Sequence, residues 1–324
     1  MRRLGTDGPL VPSIGLGCGP MSAGTPDPDR DAVSVATIRA AIDAGITLID
    51  TADFYGTGHN EWLIRKALRE AGRDRVVISD KFGALRDPAG RFVGIDARPA
   101  YLRSAVAYSL QRLGTDHIDI YRPARLDPAV PIEDTVGAIA ELVEAGWVRH
   151  IGLSEVGAQS IRRAHAVHPI ADLQIEYSLF SRGVERQILA TCRELGIGVT
   201  AYGVLAHGLL TGAYTGGGEV GHLPWFHAGN LETNLALVER LRPIARARGV
   251  SVAQLAVAWV LSRGERIVAL VGASRPGRVP DAVAAAGIAL SDAELAAIEE
   301  AVPDGAVAGT RYAAPLMAML DSER

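Results

Sequence analysis

Residues 47–61 read Thr47-Leu48-Ile49-Asp50-Thr51-Ala52-Asp53-Phe54-Tyr55-Gly56-Thr57-Gly58-His59-Asn60-Glu61. A short β-favouring run stops on a carboxylate, a polar loop with two glycines follows, and helical periodicity takes over from 60 to 71. The same unit recurs along the chain. Strands are expected at 14–16, 47–50, 76–81, 118–121, 148–153, 173–176, 198–202 and 267–271, and helices near 31–44, 60–71, 98–113, 132–145, 157–167, 185–195 and 234–262. Repeated strand–helix units call for a parallel sheet, and eight of them suggest closure. The expected fold is therefore α/β, a (β/α)8 TIM barrel with an N-terminal β-hairpin (Arg3-Leu4 and Leu10-Val11 about a Thr6-Asp7-Gly8 turn) and extra C-terminal helices. An open doubly wound sheet is the rival. Its fingerprint, G-x-G-x-x-G after the first strand, is missing: Gly15-Leu16-Gly17-Cys18-Gly19-Pro20 has the wrong spacing and leads into a Pro-rich loop.

Helix punctuation agrees with this reading. Pro99 opens the 98–113 helix and Gly114 closes it, acids at Glu133 and Asp134 occupy the first turn of the next, and Ser291-x-x-Glu294 is a capping box. Residues 203–233, with Gly216-Gly217-Gly218, form a long irregular loop, of the kind that usually serves as a lid or mobile segment. No linker interrupts the alternation, so residues 1–324 are expected to form one domain.

The 324 residues suit a barrel of about 250 residues with loop insertions. An apolar share of 48% against 22% charged excludes global disorder, and a net charge of −4 argues against a nucleic-acid partner. Two isolated cysteines, Cys18 and Cys192, form no CxxC and suit a reducing cytoplasm. The N-terminus has no apolar stretch of signal-peptide type, and no run approaches the roughly 18 apolar residues of a membrane span. His165 and His168 share a helix without converging carboxylates or thiols, so no metal is expected.

Active sites of such barrels lie at the carboxyl ends of the strands. The polar residues expected there are Asp50, Asp53, Tyr55, Lys81, Arg122, Arg125, Ser154, Glu155, Gln174, Glu176 and Tyr202. Five motifs, in order, resemble those of the aldo-keto reductases. Asp50-Thr51-Ala52-x-x-Tyr55-Gly56-x-Gly58-x-Asn60-Glu61 is similar to the family signature, and Lys81 ends a strand as the family lysine does. Gly152-Leu153-Ser154, Gln174-Ile175-Glu176-Tyr177-Ser178 and Ala201-Tyr202-Gly203 through Thr211-Gly212 resemble the later motifs. The resemblance implies an NADP(H)-dependent reductase of an aldehyde or ketone, with Tyr55 as proton donor, Lys81 as its tuner and Asp50 as support. An isolated tyrosine has a pKa near 10, and a neighbouring ammonium lowers it.

One position departs from the family. A histidine is expected in a pattern like D-L-Y-x-x-H-R-x-D-P, and this chain reads Asp119-Ile120-Tyr121-Arg122-Pro123-Ala124-Arg125-Leu126-Asp127-Pro128. Ala124 therefore stands where the substrate-oxygen donor is expected. It enlarges the pocket and points to a bulky or heteroaromatic aldehyde such as pyridoxal, since pyridoxal reductases also lack the usual histidine. Arg122 shares the strand parity of Ala124 and is expected beneath the substrate pocket, paired with Glu176. Trp225 and Phe226 are candidates for an apolar pocket wall.

For the cofactor, the resemblance implies that Tyr202 stacks on the nicotinamide while Ser154 and Gln174 hold its carboxamide. Ser274, Arg275 and Arg278 follow the last strand and offer donors to a 2′-phosphate, which favours NADP over NAD. Glu155 replaces the usual asparagine and is given no cofactor contact. The partners expected are a small carbonyl substrate and, as in oligomeric relatives, further copies of the chain. The alternative is a catalytically weak NADP(H)-binding regulatory or redox-sensing subunit. An isomerase or aldolase on a similar barrel lacks a recognisable Schiff-base lysine or metal ligands.

Overall fold

Strands covered on both faces need apolar residues pointing both ways, with alternate positions facing the barrel axis. The computed structural model, which describes residues 1–24, 26–214 and 220–323, shows this arrangement. Its eight parallel strands are β1 (Ile14–Gly17), β2 (Leu48–Asp50), β3 (Val77–Phe82), β4 (Ile118–Pro123), β5 (Val148–Ser154), β6 (Ile170–Glu176), β7 (Gly198–Tyr202) and β8 (Ile267–Gly272). They pair in sequence order, and β8 closes on β1 through Ala269↔Ile14 and Val271↔Leu16. The open-sheet rival is thereby excluded.

Around the barrel run α1 (Pro28–Asp43), α2 (His59–Ala71), α3 (Pro99–Leu113), α4 (Ile132–Glu144), α5 (Ala158–Val167), α6 (Ile188–Glu194), α7 (Asn230–Arg248), α8 (Val252–Ser262) and α9 (Val279–Ala285), followed by α10 (Asp292–Ala301) and the short α11 (Ala314–Met317). The main core lies between barrel and helices. A smaller one, made by Leu4, Val11, Leu48, Ile120, Val268 and Leu270, fills the amino end of the barrel axis beneath the N-terminal hairpin. Above it, the inward positions turn polar.

Three expectations shift. The 234–262 helix is two helices bent by 88°, because Gly249 takes a left-handed φ of +71° and Ser251 caps a new start with Gln254. An antiparallel hairpin, Ala84–Arg86 with Phe92–Ile95, occupies the loop after β3. β6 begins at Ile170 rather than 173, since Asp172 is accommodated inside the barrel. The long loop holds two short 3-10 turns, Ala206–Thr211 and Pro224–Phe226, and its Gly216-Gly217-Gly218 lies outside the described residues. Among the described residues, no single helix is long and apolar enough to cross a membrane.

Candidate active site

Strand parity aims Asp50, Ser79 and Lys81, Arg122, Asp172 and Gln174 at the axis from β2, β3, β4 and β6. The side chains meet. Lys81 Nζ donates to Asp50 Oδ1 at 2.6 Å, and Asp50 Oδ2 also accepts from Ser79 Oγ at 2.9 Å and from Gln174 Nε2 at 2.6 Å. Below them Arg122 Nη2 donates to Ser79 Oγ at 2.8 Å and stands 3.0 Å from Asp172 Oδ1. A buried polar ladder thus runs from Asp172 through Arg122, Ser79 and Asp50 to Lys81.

The expected Arg122–Glu176 pair does not form. Arg122 is fully buried inside the ladder rather than lining an open substrate pocket. Register explains the change: Tyr121 pairs with Ile151, and Gly152 pairs with Asp172, so Arg122 and Asp172 are level across Gly152. A Cβ at residue 152 would lie 2.7 Å from Asp172 Oδ1 and 3.1 Å from Arg122 Cζ. The glycine leaves the room through which the two charges approach.

Tyr55, after β2, is half-buried at the ladder's upper end, with Lys81 Nζ 5.1 Å from its ring centre. Gly19 lies against the ring, since a Cβ there would come within 3.2 Å of it. Burial raises the Tyr55 pKa, and Lys81 pulls it only part of the way back. The net direction is upward, opposite to the effect of the lysine alone. Burial disfavours the charge on Lys81 as well, but Asp50 and Tyr55 together more than offset it and the ammonium is held.

On the other side of the mouth, Ser154 and Gln174 are register partners at the ends of β5 and β6. Ser154 Oγ is buried and has no hydrogen-bond partner among the described residues. An unpaired hydroxyl beside an amide is a fitting seat for a carboxamide. Tyr202 ends β7, and its hydroxyl donates to Glu155 Oε1 at 2.8 Å and lies 3.2 Å from the Tyr312 hydroxyl.

Glu155, expected at a strand end and given no cofactor contact, is the centre of a second network. Its φ is +54°, which costs a non-glycine residue about 1–2 kcal/mol. The side chain is held from several directions. Arg311 grips it in a fork at 3.0 and 2.6 Å, Ser322 Oγ donates to it at 2.8 Å, and it accepts from the Glu176 amide at 2.8 Å. Arg311 also reaches Glu176 at 3.1 Å and Glu323 at 2.8 Å, and Gly157 N donates to Asp321 Oδ2 at 2.7 Å. Burial pushes the Glu155 carboxyl up, but Arg311 and then Arg125 bring it down to about 2. In Glu176, burial wins over Arg311, Glu155 adds repulsion, and the carboxyl rises to about 7.

The remaining residues occupy separate places. Ser274, Arg275 and Arg278 are exposed after β8, and no side-chain hydrogen bond or ion pair engages them among the described residues. They are free to take a phosphate. Ala124 is buried, with its amide on the Phe82 carbonyl at 2.8 Å, which sets it one step past Lys81 on the neighbouring strand. Trp225 is buried against Phe180 and His207, and among the described residues no hydrogen bond or ring contact joins it to the ladder. Ser79 and Asp172 share parity with Lys81 and Gln174, so alternation would have found them. Arg311 and Tyr312 come from a tail without periodicity and carried no signal. Asp80 points outward between two ladder residues, toward Asp53, Glu61 and Arg112. Burial and these carboxylates raise its pKa, and burial, then Glu61, takes Asp53 to about 7.

Comparisons with known proteins agree with this geometry. The profile of the aldo/keto reductase family matches residues 14–303. A "probable aldo-keto reductase 1" of Glycine max is 40% identical over 319 residues, 96% of this chain and 91% of that one. The solved structure of a glycerol dehydrogenase from Gluconobacter oxydans superposes with a TM-score of 0.84 at 34% identity, covering 93% of this chain and 94% of its own. An aldo/keto reductase from Klebsiella pneumoniae, solved in complex with NADP and acetate, gives 0.76 at 30% identity over 97% and 99%. By fold, motif order and sequence alike, the chain belongs to the aldo/keto reductase family, whose members are NADP-dependent oxidoreductases of carbonyl groups.

Proposed function

We propose that this chain reduces an aldehyde or ketone with NADPH, using Tyr55 as proton donor. The observation that carries this reading is the continuous chain from Asp50 through Lys81 to Tyr55 at the carboxyl ends of β2 and β3. When bound, NADPH supplies the hydride. Ser154 and Gln174 suit its carboxamide, the Tyr202 ring its nicotinamide face, and Ser274, Arg275 and Arg278 a 2′-phosphate, so the residues present fit the cofactor.

The protein's part is orientation and the proton. Tyr55 is protonated at neutral pH, its hydroxyl being raised by burial, and it gives that proton to the carbonyl oxygen as negative charge develops there. Lys81, held cationic by Asp50, stabilises the tyrosinate left behind. The small side chain of Ala124 suits a bulky or heteroaromatic aldehyde, pyridoxal among them, and Trp225 is the candidate wall residue for such a pocket. Two buried free thiols, Cys18 and Cys192, suit a cytoplasmic setting.

The test is NADPH oxidation against a panel of aldehydes that includes pyridoxal, with Tyr55→Phe alongside. Aldehyde-dependent oxidation that disappears in Tyr55→Phe supports the reading. NADPH binding without turnover, unchanged by Ala124→His, would replace it with the cofactor-sensing role, and no NADPH binding would remove both.

A further inference from the structure

The missing histidine leaves a question of chemistry. A developing alkoxide at the mouth needs a second fixed donor besides Tyr55. The residue next to Ala124 is placed to be that donor. Arg125 is half-buried, and its side chain folds back so that Nη1 donates to the Ala124 carbonyl at 2.6 Å. The guanidinium therefore lies against the backbone of the residue that replaces the histidine.

Its surroundings bracket the substrate position. The Ala124 amide is bonded to the Phe82 carbonyl, one residue beyond Lys81. Electrostatically, Arg125 acts on Tyr55 on one side and on Tyr202, Glu155 and Tyr312 on the other. On the reductase reading the carbonyl is reduced between Tyr55 and a nicotinamide on Tyr202, two of the groups on which Arg125 acts. Among the described residues no carboxylate comes within 4.0 Å of Arg125, although Arg311 nearby is fully engaged. A guanidinium has five N–H donors and stays charged, and a half-buried one with a single backbone bond has donors to spare.

We propose that Arg125 donates to the substrate's carbonyl oxygen in place of the histidine that Ala124 displaces. This rests on the reductase reading above. The planar fork of a guanidinium reaches two neighbouring acceptors at once. The substrate class it selects is therefore a carbonyl with a second oxygen on the adjacent carbon, such as a 2-hydroxyaldehyde or a 1,2-dicarbonyl.

The experiment measures kcat/KM with NADPH for propanal and 2-hydroxypropanal in the unaltered protein, Arg125→Ala, Arg125→Lys and Ala124→His/Arg125→Ala. Protein fluorescence gives the NADPH Kd, and circular dichroism checks folding. Arg125→Ala is expected to lose on the order of 10²–10³ in kcat/KM, as for other oriented oxyanion donors, with NADPH affinity unchanged. The preference for 2-hydroxypropanal should shrink with it. Millimolar guanidinium, or the histidine restored at 124, should return part of the rate, which a merely structural role would not allow. Should Arg125→Ala fail to fold, Arg125→Lys carries the test through the same preference, which an ammonium without the planar fork should lose.

If Arg125→Ala keeps kcat/KM within about threefold of the unaltered protein, where loss of an oriented donor should cost far more, the inference is overturned. An unchanged substrate preference, or a loss of NADPH affinity that accounts for the whole rate change, would also overturn it. These outcomes leave the reductase reading standing, provided Tyr55→Phe is inactive. Absence of turnover in the unaltered protein would overturn both.

Discussion

Two buried charge networks meet at the mouth of this barrel, and they are built in opposite ways. The inner ladder of Asp172, Arg122, Ser79, Asp50 and Lys81 is made wholly from strand residues pointing at the axis. The outer cluster of Glu155, Glu176, Tyr202, Arg311 and Tyr312 ties three strand ends to a tail. In the ladder each acid has its own cation: Asp172 has Arg122, and Asp50 has Lys81. In the cluster one guanidinium serves Glu155, Glu176 and Glu323, and the two buried carboxylates part company, one falling to about 2 and the other rising to about 7. The difference shows that a barrel interior can fix charges by strand register, whereas its rim has to borrow a counter-charge from elsewhere in the chain.

The comparison can be broken at its catalytic end first. Tyr55→Phe removes the proton at the top of the ladder, and the expected loss in aldehyde reduction is on the order of 10²–10⁴, with NADPH affinity unchanged in a fluorescence titration. Next comes the ladder's base. Arg122→Met leaves Asp172 buried without its cation and should cost about 3–5 kcal/mol in urea unfolding, while Arg122→Met with Asp172→Leu should recover most of it. Recovery would show that the pair is a matched charge rather than an irreplaceable fold determinant.

Arg311→Met strips the cluster of its shared cation. The expected cost is about 3 kcal/mol, at the low end for a broken buried pair because Glu176 can take up a proton. Smaller effects follow from pH. With the Tyr55 pKa above that of ordinary tyrosine, its hydroxyl keeps its proton from pH 6 to 9, so steady-state reduction should be flat over that range. Alcohol oxidation, which needs the deprotonated oxygen, should climb as pH rises. For stability, the Glu176 pKa is about 7 when folded and near the ordinary glutamate value of about 4.3 when unfolded. The folded state therefore binds more proton between the two values, and its stability falls as pH rises through that window. Glu176→Gln should remove this slope from Tm measured between pH 5 and 8.

The same contrast explains what the sequence made legible. Strand-end position singled out Asp50, Lys81 and Gln174, alternation aimed Arg122 inward, and strand–helix repetition put their strands in one barrel. Parity says which way a side chain faces, but not its height along the axis. Arg122 was therefore matched to Glu176, when register and the gap at Gly152 bring it to Asp172. The expected strand starts at 173 and so leaves out Asp172, which the structure pairs with Gly152 inside β6. The tail of 303–323 has neither period nor motif, so nothing in it announces that Arg311 belongs to Glu155, 156 residues earlier. Long-range contacts made by irregular chain carry no local signature.

That separation has a consequence for how the molecule is assembled on the ribosome. When β5 and β6 have emerged, Glu155 and Glu176 are already committed to the interior of the growing sheet, but the guanidinium that settles them is not made until residue 311. The nascent barrel therefore carries two carboxylates that favour water over closure. The mouth should remain open and solvated until the tail arrives, and premature release of the chain before Arg311 should yield a barrel that closes at its base and frays where the substrate would enter.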